Sequence, residues 1–416
     1  MAPNGTSESG AATGFGSAAA GLDSAAVIAP NAAEALEPVE RPAPFAAKDD
    51  HPEDGIGLCL SGGGYRAMMF HVGVLWRLNE LKLLHRIARI SSVSGGSITA
   101  GLLGLRWSSL DWHGDVATNF IERVVAPIRR LASHTIDAGS IIAGALLPGV
   151  SISEKVLRAY RKHLYGDATL QDLPDESSGA PRFVINATNV QSGVLWRFSR
   201  PYMADYRVGR VDAPTTQLAL AVAASSAFPP VLSPARMELE PGVVKPTDGA
   251  DLHRPPFTTD VLLTDGGVYD NLGLETVWKR YRTVLVSDGG GQMEAEDDPE
   301  TDWVRHGLRV NALIDSQVRA LRKRQVVGSF ERGVRKGSYW RMRGNILDYP
   351  ASDKLPCPRE RTMTLARTPT RLQKMDDALQ ERLINWGYAI TDAAVRGYVE
   401  PGVHSPPVGF PYDAGV

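Results

Sequence analysis

The hydrophobic and polar positions of this chain alternate between short apolar runs and longer amphipathic segments. Apolar runs at 56–60, 87–90 and 261–263 have the length and composition of buried strands. Residues 66–84 repeat apolar side chains at three- and four-residue spacing, and 95–105 also favours a helix. Strands and helices in alternation predict an α/β fold with three layers, in which helices cover both faces of a central, mostly parallel sheet.

The same patterns predict further elements along the rest of the chain. Runs at 182–190 and 194–198 flank a glycine-containing turn, which indicates a strand pair, and 110–180 reads as mainly helical with loops. The remaining predicted elements are a helix at 215–226, a helix at 272–281, a strand at 284–286, a long basic helix at 302–325 and a final helix at 371–396.

Composition divides the chain into four parts. Residues 1–50 are rich in Ala, Gly and Pro and hold few large apolar side chains, so we expect a flexible segment there. Residues 55–290 carry the alternation of strands and helices and form the expected core. Residues 291–400 are expected to be a helical, basic extension packed on that core, and 401–416 a tail.

Bulk composition narrows the class of protein. With 416 residues, of which 43% are hydrophobic and 22% charged, the chain resembles an ordinary soluble globular protein. A formal net charge of −2 gives no reason to expect nucleic acid as a partner. Two cysteines, Cys59 and Cys357, cannot build a disulfide framework or a thiolate metal site. The N-terminus lacks a basic and apolar leader, so we expect a cytoplasmic protein.

A serine follows the second predicted strand at a sharp turn. Residues 92–96 read Ser-Val-Ser-Gly-Gly, and Ser94 lies where the strand passes into a helix. Such a turn projects a hydroxyl out of the backbone, and the small residues Gly95 and Gly96 avoid clashes within it. Ser94 is therefore the candidate nucleophile, and the alternative is a glycine-softened turn without chemistry.

Three consecutive glycines, Gly62, Gly63 and Gly64, follow the first predicted strand. Glycine backbone can turn several N–H groups toward one point, so these residues are candidate donors to an oxyanion. Arg66 follows at the predicted helix start, where it could orient the loop or meet a phosphate. Neither of the glycine signatures for nucleotide phosphates, G-x-x-x-x-G-K-[ST] or G-x-G-x-x-G with an acidic partner, is found here.

Two aspartates compete for the role of general base. Asp265 and Asp288 each follow an apolar strand and precede two glycines. Asp265 is favoured because its segment continues into a helix start, where Asn271 can cap or brace it. Asp288 remains the alternative, and it can instead brace a neighbouring loop.

No histidine is well placed to complete a Ser-His-Asp triad. His306 lies in the predicted basic helix, His404 in a Pro-rich tail and His71 on the first helix, and none follows a predicted strand. A two-residue mechanism with serine and aspartate therefore fits this sequence better than a triad.

Taken in this order, the segments 61–66, 92–96 and 265–267 resemble the patatin-like phospholipases and the related catalytic domain of cytosolic phospholipases. The resemblance covers residues 55–290, and 224–230 also looks like the small-residue, Pro-rich stretch of such proteins. It implies a fold related to the α/β hydrolases and a metal-independent hydrolysis of lipid esters.

The resemblance also implies a role for each motif residue. The three glycines would bind the oxyanion, Ser94 would form the acyl-enzyme, and Asp265 would activate Ser94 and then water. Ser92 departs from the family pattern, because the first position of this turn is commonly glycine. The implied supporting residues are Arg66, Gly96, Gly266, Gly267 and Asn271.

Basic residues cluster after the predicted core. Residues 305–343 hold eleven Lys or Arg against Asp315 and Glu331. The cluster predicts peripheral contact with an anionic membrane, and the alternative is a solvated helix face that pairs with the acidic run 294–302.

The leading functional hypothesis is a lipid acyl hydrolase that cleaves carboxylic esters. The first alternative is a regulated, membrane-degrading effector with the same chemistry. The second is a catalytically silent scaffold that binds lipid or protein.

Overall fold

The structure is a computed structural model of the chain. It describes residues 52–136, 152–230, 232–291, 293–401 and 407–416. The predicted flexible segment 1–50 lies outside the described residues, as do residues 402–406 of the predicted tail, which include His404.

Within the described residues, ten strands form one mixed sheet and two short strands form a separate hairpin. The strands are β1 (Glu53–Leu60), β2 (Ile87–Ser92), β3 (Trp112–His113), β4 (Val116–Ala117), β5 (Arg182–Asn189), β6 (Val194–Phe198), β7 (Tyr202–Asp205), β8 (Gly209–Asp212), β9 (Ala235–Glu238), β10 (Asp260–Asp265), β11 (Tyr281–Asp288) and β12 (Lys336–Arg341). The parallel strands β12, β11, β1, β2 and β5 lie side by side in this order. The antiparallel strands β6, β7 and β8 extend the sheet beyond β5.

Helices flank this sheet, which confirms the predicted α/β fold with a mostly parallel central sheet. The α-helices are α1 (Gly64–Glu80), α2 (Gly95–Arg106), α3 (Ala126–Ala132), α4 (Ile152–Tyr160), α5 (Leu218–Ser225), α6 (Gly267–Asp270), α7 (Glu275–Trp278), α8 (Trp303–Glu331), α9 (Arg359–Ala366) and α10 (Asp377–Ala394). Short 3₁₀ turns occupy Leu84–Arg86, Trp107–Ser109, Leu170–Asp172, Glu176–Ser178 and Ile346–Asp348, and π-helical turns occupy Ile121–Val125, Arg161–Tyr165 and Val395–Val399.

Two predicted helices differ from the observed ones for identifiable reasons. The final helix begins at Asp377 rather than at residue 371, because the Asp376 side chain accepts the Leu379 N–H at 2.7 Å and caps its first turn. The helix predicted at 272–281 is shortened to α7, because Gly273 adopts a φ of 66° before it and β11 begins at Tyr281.

Burial on both faces of the sheet follows from the alternation of side chains along the central strands. Leu58 and Leu60 of β1 join the larger apolar cluster on one face, whereas Cys59 joins a smaller cluster on the other. Leu285 and Val286 of β11 divide in the same way. Helices α1, α2, α5 and α10 contribute to the larger cluster, and α7 and the C-terminal part of α8 contribute to the smaller one.

The strand that ends at Asp265 runs antiparallel to its neighbour β5. Along one edge, β5 pairs with β2 through 182–185 and with β10 through 187–189, while β6 occupies the opposite edge. On this edge of β5, the pairing with β2 ends at residue 185 and the pairing with β10 begins at residue 187. Because the two strands meet end to end, the residues that follow β2 lie beside the end of β10.

Helices α1 and α10 approach each other so closely that glycines are required on both. A Cβ atom on Gly73 of α1 would lie 1.9 Å from the carbonyl oxygen of Ile384. A Cβ atom on Gly387 of α10 would lie 2.0 Å from the carbonyl oxygen of Phe70. Each glycine thus contacts the backbone of the opposite helix, where no flexible side chain can move aside.

We expect Gly387→Ala to lower the free energy of unfolding by at least about 2 kcal/mol, because the added methyl group forces the two backbones apart. Urea unfolding of the full chain would measure this loss. Gly307→Ala on α8 is the control, since a Cβ there meets no atom within 4 Å. That substitution should raise stability by up to about 1 kcal/mol through helix propensity. Equal stabilities for the two variants would contradict the close contact.

Candidate active site

Ser94 occupies the sharp turn between β2 and α2. Its backbone φ of 51° and ψ of −119° lie in a region that residues with a side chain rarely adopt. Gly96 packs against the end of β1, where a Cβ would lie 2.4 Å from the carbonyl oxygen of Leu60. The turn therefore has the strained geometry that the sequence predicted, and no side chain fits at Gly96.

Ser225, at the end of α5, holds this turn in place. Its hydroxyl oxygen accepts the Ser94 N–H at 2.9 Å and donates its own hydrogen to the carbonyl of Asn186 at 2.6 Å. The Ser97 hydroxyl lies 2.9 Å away and completes the environment of Ser225. The role of Ser225 could not be predicted from the small-residue stretch around it, because its partners Ser94 and Asn186 are distant in the chain.

The same network accounts for Ser92, which stands where related turns carry glycine. The Ser92 side chain is fully buried, and its hydroxyl donates to the carbonyl of Val184 at 3.3 Å. It also accepts a hydrogen bond of 3.1 Å from the Ser97 hydroxyl. The hydroxyl group is thus satisfied inside the protein, and the turn tolerates it.

Asp265 lies at the end of β10 and is buried beside Ser94. One of its carboxylate oxygens accepts the Gly267 N–H at 2.7 Å. Burial raises the pKa of Asp265 to about 7, although hydrogen bonds from Gly267 and the Ser94 side chain oppose that rise. The negative charge of Asp315 on α8 adds to the increase in this pKa. Near neutral pH, Asp265 is therefore able both to accept and to release a proton.

Two glycines after Asp265 allow the backbone to pack tightly around it. A Cβ on Gly266 would lie 2.3 Å from the carbonyl oxygen of Asn186, and one on Gly267 would lie 3.0 Å from the Asp265 carboxylate. The side-chain oxygen of Asn271 lies close to both motifs, 2.4 Å from the Cβ position of Gly62 and 2.6 Å from that of Gly267. Asn271 therefore braces the glycine loop against the aspartate turn.

The glycine loop after β1 provides free backbone donors, but not from all three glycines. The Gly62 N–H donates to the carbonyl of Asn271 at 3.1 Å, so it is already engaged. Gly63 and Gly64 adopt φ values of 143° and 60°, and within the described residues their N–H groups have no acceptor. The N–H of Gly95 also lacks an acceptor in this part of the chain. From the sequence, Gly95 was expected only to avoid clashes in the serine turn, and not to provide a donor.

The guanidinium of Arg66 forms its hydrogen bonds with other groups of the protein. Its guanidinium donates to the carbonyl of Gly289 at 3.2 Å, to the hydroxyl of Thr370 at 2.9 Å and to the carbonyl of Thr368. Burial lowers the pKa of Arg66 to about 10. Of the two roles that the sequence left open, these contacts correspond to orienting the loop.

Asp288 and His306 lie outside the cleft that contains Ser94. The Asp288 carboxylate accepts the Tyr339 hydroxyl at 2.6 Å and the Gly290 N–H at 2.9 Å, and it does not line the cleft that contains Ser94. His306 is exposed on α8 and does not line this cleft either. Among the two candidate acids, the structure brings only Asp265 to Ser94.

His71 is a buried, neutral brace between two strand ends. Its Nε2 lies 3.0 Å from the carbonyl oxygen of Ser61, which can only accept, so Nε2 carries the proton. Its Nδ1 accordingly accepts from the Ser287 hydroxyl at 3.0 Å. Burial lowers the pKa of His71 to about 4, and the side chain does not line the cleft.

Ser94 and Asp265 open into one cleft of about 560 Å³. The three glycines of the loop, Gly267 and Asn271 also line it. Its apolar lining comes from Phe228, Pro229, Leu232, Met293 and Leu372. Among the described residues, no group of three or more His, Cys, Asp or Glu side chains is placed to hold a metal ion.

Helix α8 forms one wall of this cleft and exposes apolar side chains on its other side. Ala312, Asp315 and Arg319 line the cleft. Trp303, Ile314 and Leu321, which are eleven and seven positions apart, project from the opposite side of the helix. Their side chains are exposed by 86%, 56% and 53%, respectively. No helix among the described residues is both long enough and apolar enough to cross a bilayer.

Several cations of α8 are paired within the protein. Arg305 pairs with Glu300 and Asp302, and Arg309 pairs with Glu296 at 2.6 Å. The pairing with the acidic run, which the sequence left open, therefore holds for these two arginines. Further along the helix, Arg319 pairs with Asp315 at 3.2 Å, and Arg322 lies 3.8 Å from Asp270.

The model of the patatin-like phospholipase family matches residues 58–278, which is more than half of the chain. The chain therefore belongs to this family of lipid acyl hydrolases. Among solved structures, human GIVD cytosolic phospholipase A2 in complex with methyl gamma-linolenyl fluorophosphonate is 16% identical, with a TM-score of 0.48. That alignment covers 83% of this chain and 58% of the phospholipase, so this chain spans less than two thirds of its length.

A second solved structure, VipD from Legionella pneumophila, is 16% identical, with a TM-score of 0.30. It aligns with 77% of this chain and 67% of its own. No curated protein matches the chain.

The raised pKa of Asp265 has a consequence for stability. A buried carboxyl with a folded pKa of about 7 favours the folded state fully only below its unfolded pKa, and this contribution is lost as the pH rises through 7. Asp265→Asn removes that loss. We expect the stability of this variant, relative to wild type, to increase by about 2–3 kcal/mol between pH 5 and pH 9, as measured by urea unfolding.

Asp302→Asn is the control with the opposite sign. A hydrogen bond from the Arg305 N–H lowers the pKa of Asp302, so its contribution is present at high pH and lost in acid. Its replacement should destabilise the protein more at pH 9 than at pH 3. A pH-independent effect of Asp265→Asn would contradict the burial of an ionisable group at this position.

Proposed function

We propose that the protein hydrolyses carboxylic esters of lipids through an acyl-enzyme on Ser94, with Asp265 as the general base. The observation that carries this proposal is the convergence of Ser94, Asp265 and free backbone N–H groups on one apolar cleft. A buried carboxyl with a pKa of about 7 suits a base that must accept and return a proton at neutral pH.

In the first half of the reaction, the Ser94 oxygen attacks the ester carbonyl carbon while its proton passes to Asp265. The carbonyl oxygen becomes an oxyanion, which the N–H groups of Gly63, Gly64 and Gly95 stabilise. The bond from the carbonyl carbon to the alcohol oxygen then breaks, and Asp265 returns the proton to the departing alcohol. Ser94 is left esterified with the acyl group.

In the second half, water attacks the acyl carbon and gives a proton to Asp265. The bond to the Ser94 oxygen breaks, the serine recovers a proton from Asp265, and a carboxylic acid leaves. The N-terminus of α2, which begins at Gly95, favours the negative charge that develops beside Ser94 in both halves. In this proposal the Gly62 N–H has a structural role, because Asn271 already occupies it.

The lining of the cleft supports an acyl chain as the bound group. Phe228, Pro229 and Leu232 form apolar wall on one side of the catalytic residues, and Met293 and Leu372 add to it. Apolar pockets with a few convergent polar groups are typical of sites for such substrates. The presence of both dyad residues and free donors supports a hydrolase over a catalytically silent scaffold.

We propose that the outer face of α8, defined by Trp303, Val310, Ile314 and Leu321, rests on the surface of a lipid bilayer. Exposed apolar side chains in a contiguous stripe mark an interaction surface, and α8 is also a wall of the cleft. A bilayer is a surface on which such a stripe can be buried, and it also holds lipid substrates. The apolar stripe, rather than the paired cations Arg305 and Arg309, is the element that fits this contact.

The catalytic proposal predicts distinct outcomes for four variants. Ser94→Ala and Asp265→Asn should each lower kcat/KM on p-nitrophenyl butyrate by at least about a thousandfold, since each removes a group that takes part in bond exchange. Asp288→Asn should retain far more activity.

A fluorophosphonate probe should label wild type at Ser94, as mapped by mass spectrometry, and should label Ser287→Ala equally. Labelling that persists in Ser94→Ala would exclude this nucleophile.

The α8 proposal predicts a selective loss on membranes. Ile314→Glu combined with Leu321→Glu should lower binding to phospholipid vesicles by more than about tenfold in a flotation assay, because two apolar contacts are lost. Leu347→Glu, at a leucine that is 73% exposed on a separate turn, is the matched control. If the double variant instead changes the molecular mass in solution and leaves vesicle binding intact, the stripe is a contact between copies of the chain.

A further inference from the structure

A second cavity, of about 400 Å³, adjoins the catalytic cleft. Gly291 and Thr370 line both cavities and form the boundary between them. The catalytic cleft holds Asp265, Asp315, Arg319 and Arg371 beside its apolar lining, whereas the charged groups of the second cavity are Arg66, Arg343 and Arg367 against Glu294. A molecule bound at Ser94 can therefore extend a polar part into a cavity rich in guanidinium groups.

Two of these arginines have no partner in the described part of the chain. Arg343 follows β12 in a turn, and Arg367 follows α9. The guanidinium groups of both residues form no hydrogen bond and no ion pair with the described residues. The guanidinium of Arg66, by contrast, already donates hydrogen bonds to Gly289, Thr368 and Thr370. Glu294 is the carboxylate in the described lining, and it is exposed at the rim.

The surroundings add to this excess of positive charge. Burial lowers the pKa of Arg343, and the charges of Arg341, Arg319 and Arg359 lower it further, whereas Asp288 opposes them. Asp288 already accepts hydrogen bonds from Tyr339 and Gly290. Arg343 is half-buried beside these cations without a matching carboxylate, a costly arrangement that a bound anion offsets, whereas Arg367 is exposed.

We propose that Arg343 and Arg367 bind a phosphate group in this cavity, namely the headgroup phosphate of the lipid whose ester is cleaved at Ser94. Guanidinium groups bind phosphate through paired, charge-assisted hydrogen bonds, and two unengaged ones face the same cavity. The assignment of the phosphate to the substrate rests on the proposed hydrolase function. The anion site itself does not, because it follows from the unpaired cations.

The test compares two lipids that differ only in the phosphate. Phosphatidic acid and diacylglycerol with the same acyl chains are presented in the same detergent micelles to wild type and to Arg343→Gln/Arg367→Gln. We expect the ratio of KM for phosphatidic acid to KM for diacylglycerol to rise by about tenfold or more in the double variant, as lost charge-assisted hydrogen bonds require. Arg361→Gln, an exposed arginine on α9 outside the cavity, should keep the wild-type ratio.

A second measurement separates the anion site from the catalytic proposal. Isothermal titration of the full chain with glycerol 3-phosphate and with inorganic phosphate should detect binding to wild type and to Arg361→Gln, and its loss in the double variant. If wild type hydrolyses neither lipid but shows this pattern, the hydrolase proposal fails and the anion site stands. Binding of inorganic phosphate with an unchanged KM ratio would overturn the headgroup assignment. No binding to wild type, or equal binding to the double variant, would overturn the site.

Discussion

The edge of β5 is shared by two strands in succession, and the candidate catalytic centre depends on this arrangement. β2 pairs with the first half of that edge, and β10 approaches from the opposite direction to pair with the second half. Ser94 follows the end of one strand, and Asp265 ends the other. Both side chains are thereby fixed by a rigid sheet, and Ser225 ties the serine turn to the same strand through the Asn186 carbonyl. No long loop is needed to bring the two groups together.

Two regions of opposite chemistry meet along the segment that follows β11. On one side, Asp265 and Asp315 lie in an apolar cleft, where burial keeps carboxyl groups protonated to higher pH than usual. On the other side, arginines outnumber the carboxylates that oppose them. Arg66 connects the two regions, because its guanidinium donates hydrogen bonds both to the carbonyl of Gly289 and to Thr370 in the loop at 368–370. The charged lining thus changes from carboxylates balanced by arginines in the catalytic cleft to an excess of arginines in the second cavity, across the one backbone segment that follows β11.

Local patterns in the sequence were sufficient for the parallel strands β1, β2, β5 and β11, the serine turn and the glycine loop, because each depends on neighbours in the chain. They missed the parallel strand β12, which lies within the segment 291–400 that was predicted to be helical. The direction of β10 could not be predicted in this way, since it depends on which edge of β5 is left free. The choice of Asp265 over Asp288 and the role of Ser225 likewise depend on partners that are distant in sequence. The exposed apolar face of α8 could not be predicted from a segment with many charged residues. The exposure of Trp303 and Ile314 depends on how the helix packs against the rest of the protein.

The glycine loop is completed by a residue from far along the chain. The N–H of Tyr65, in the first turn of α1, donates to the carbonyl of Arg371 at 2.9 Å, and the backbone of Arg371 also packs against Gly64. Ribosomes make Tyr65 long before Arg371, so a nascent chain can contain both Ser94 and Asp265 while the loop still lacks this support. The order of synthesis therefore delays this support of the candidate oxyanion donors until residue 371 has been added to the chain.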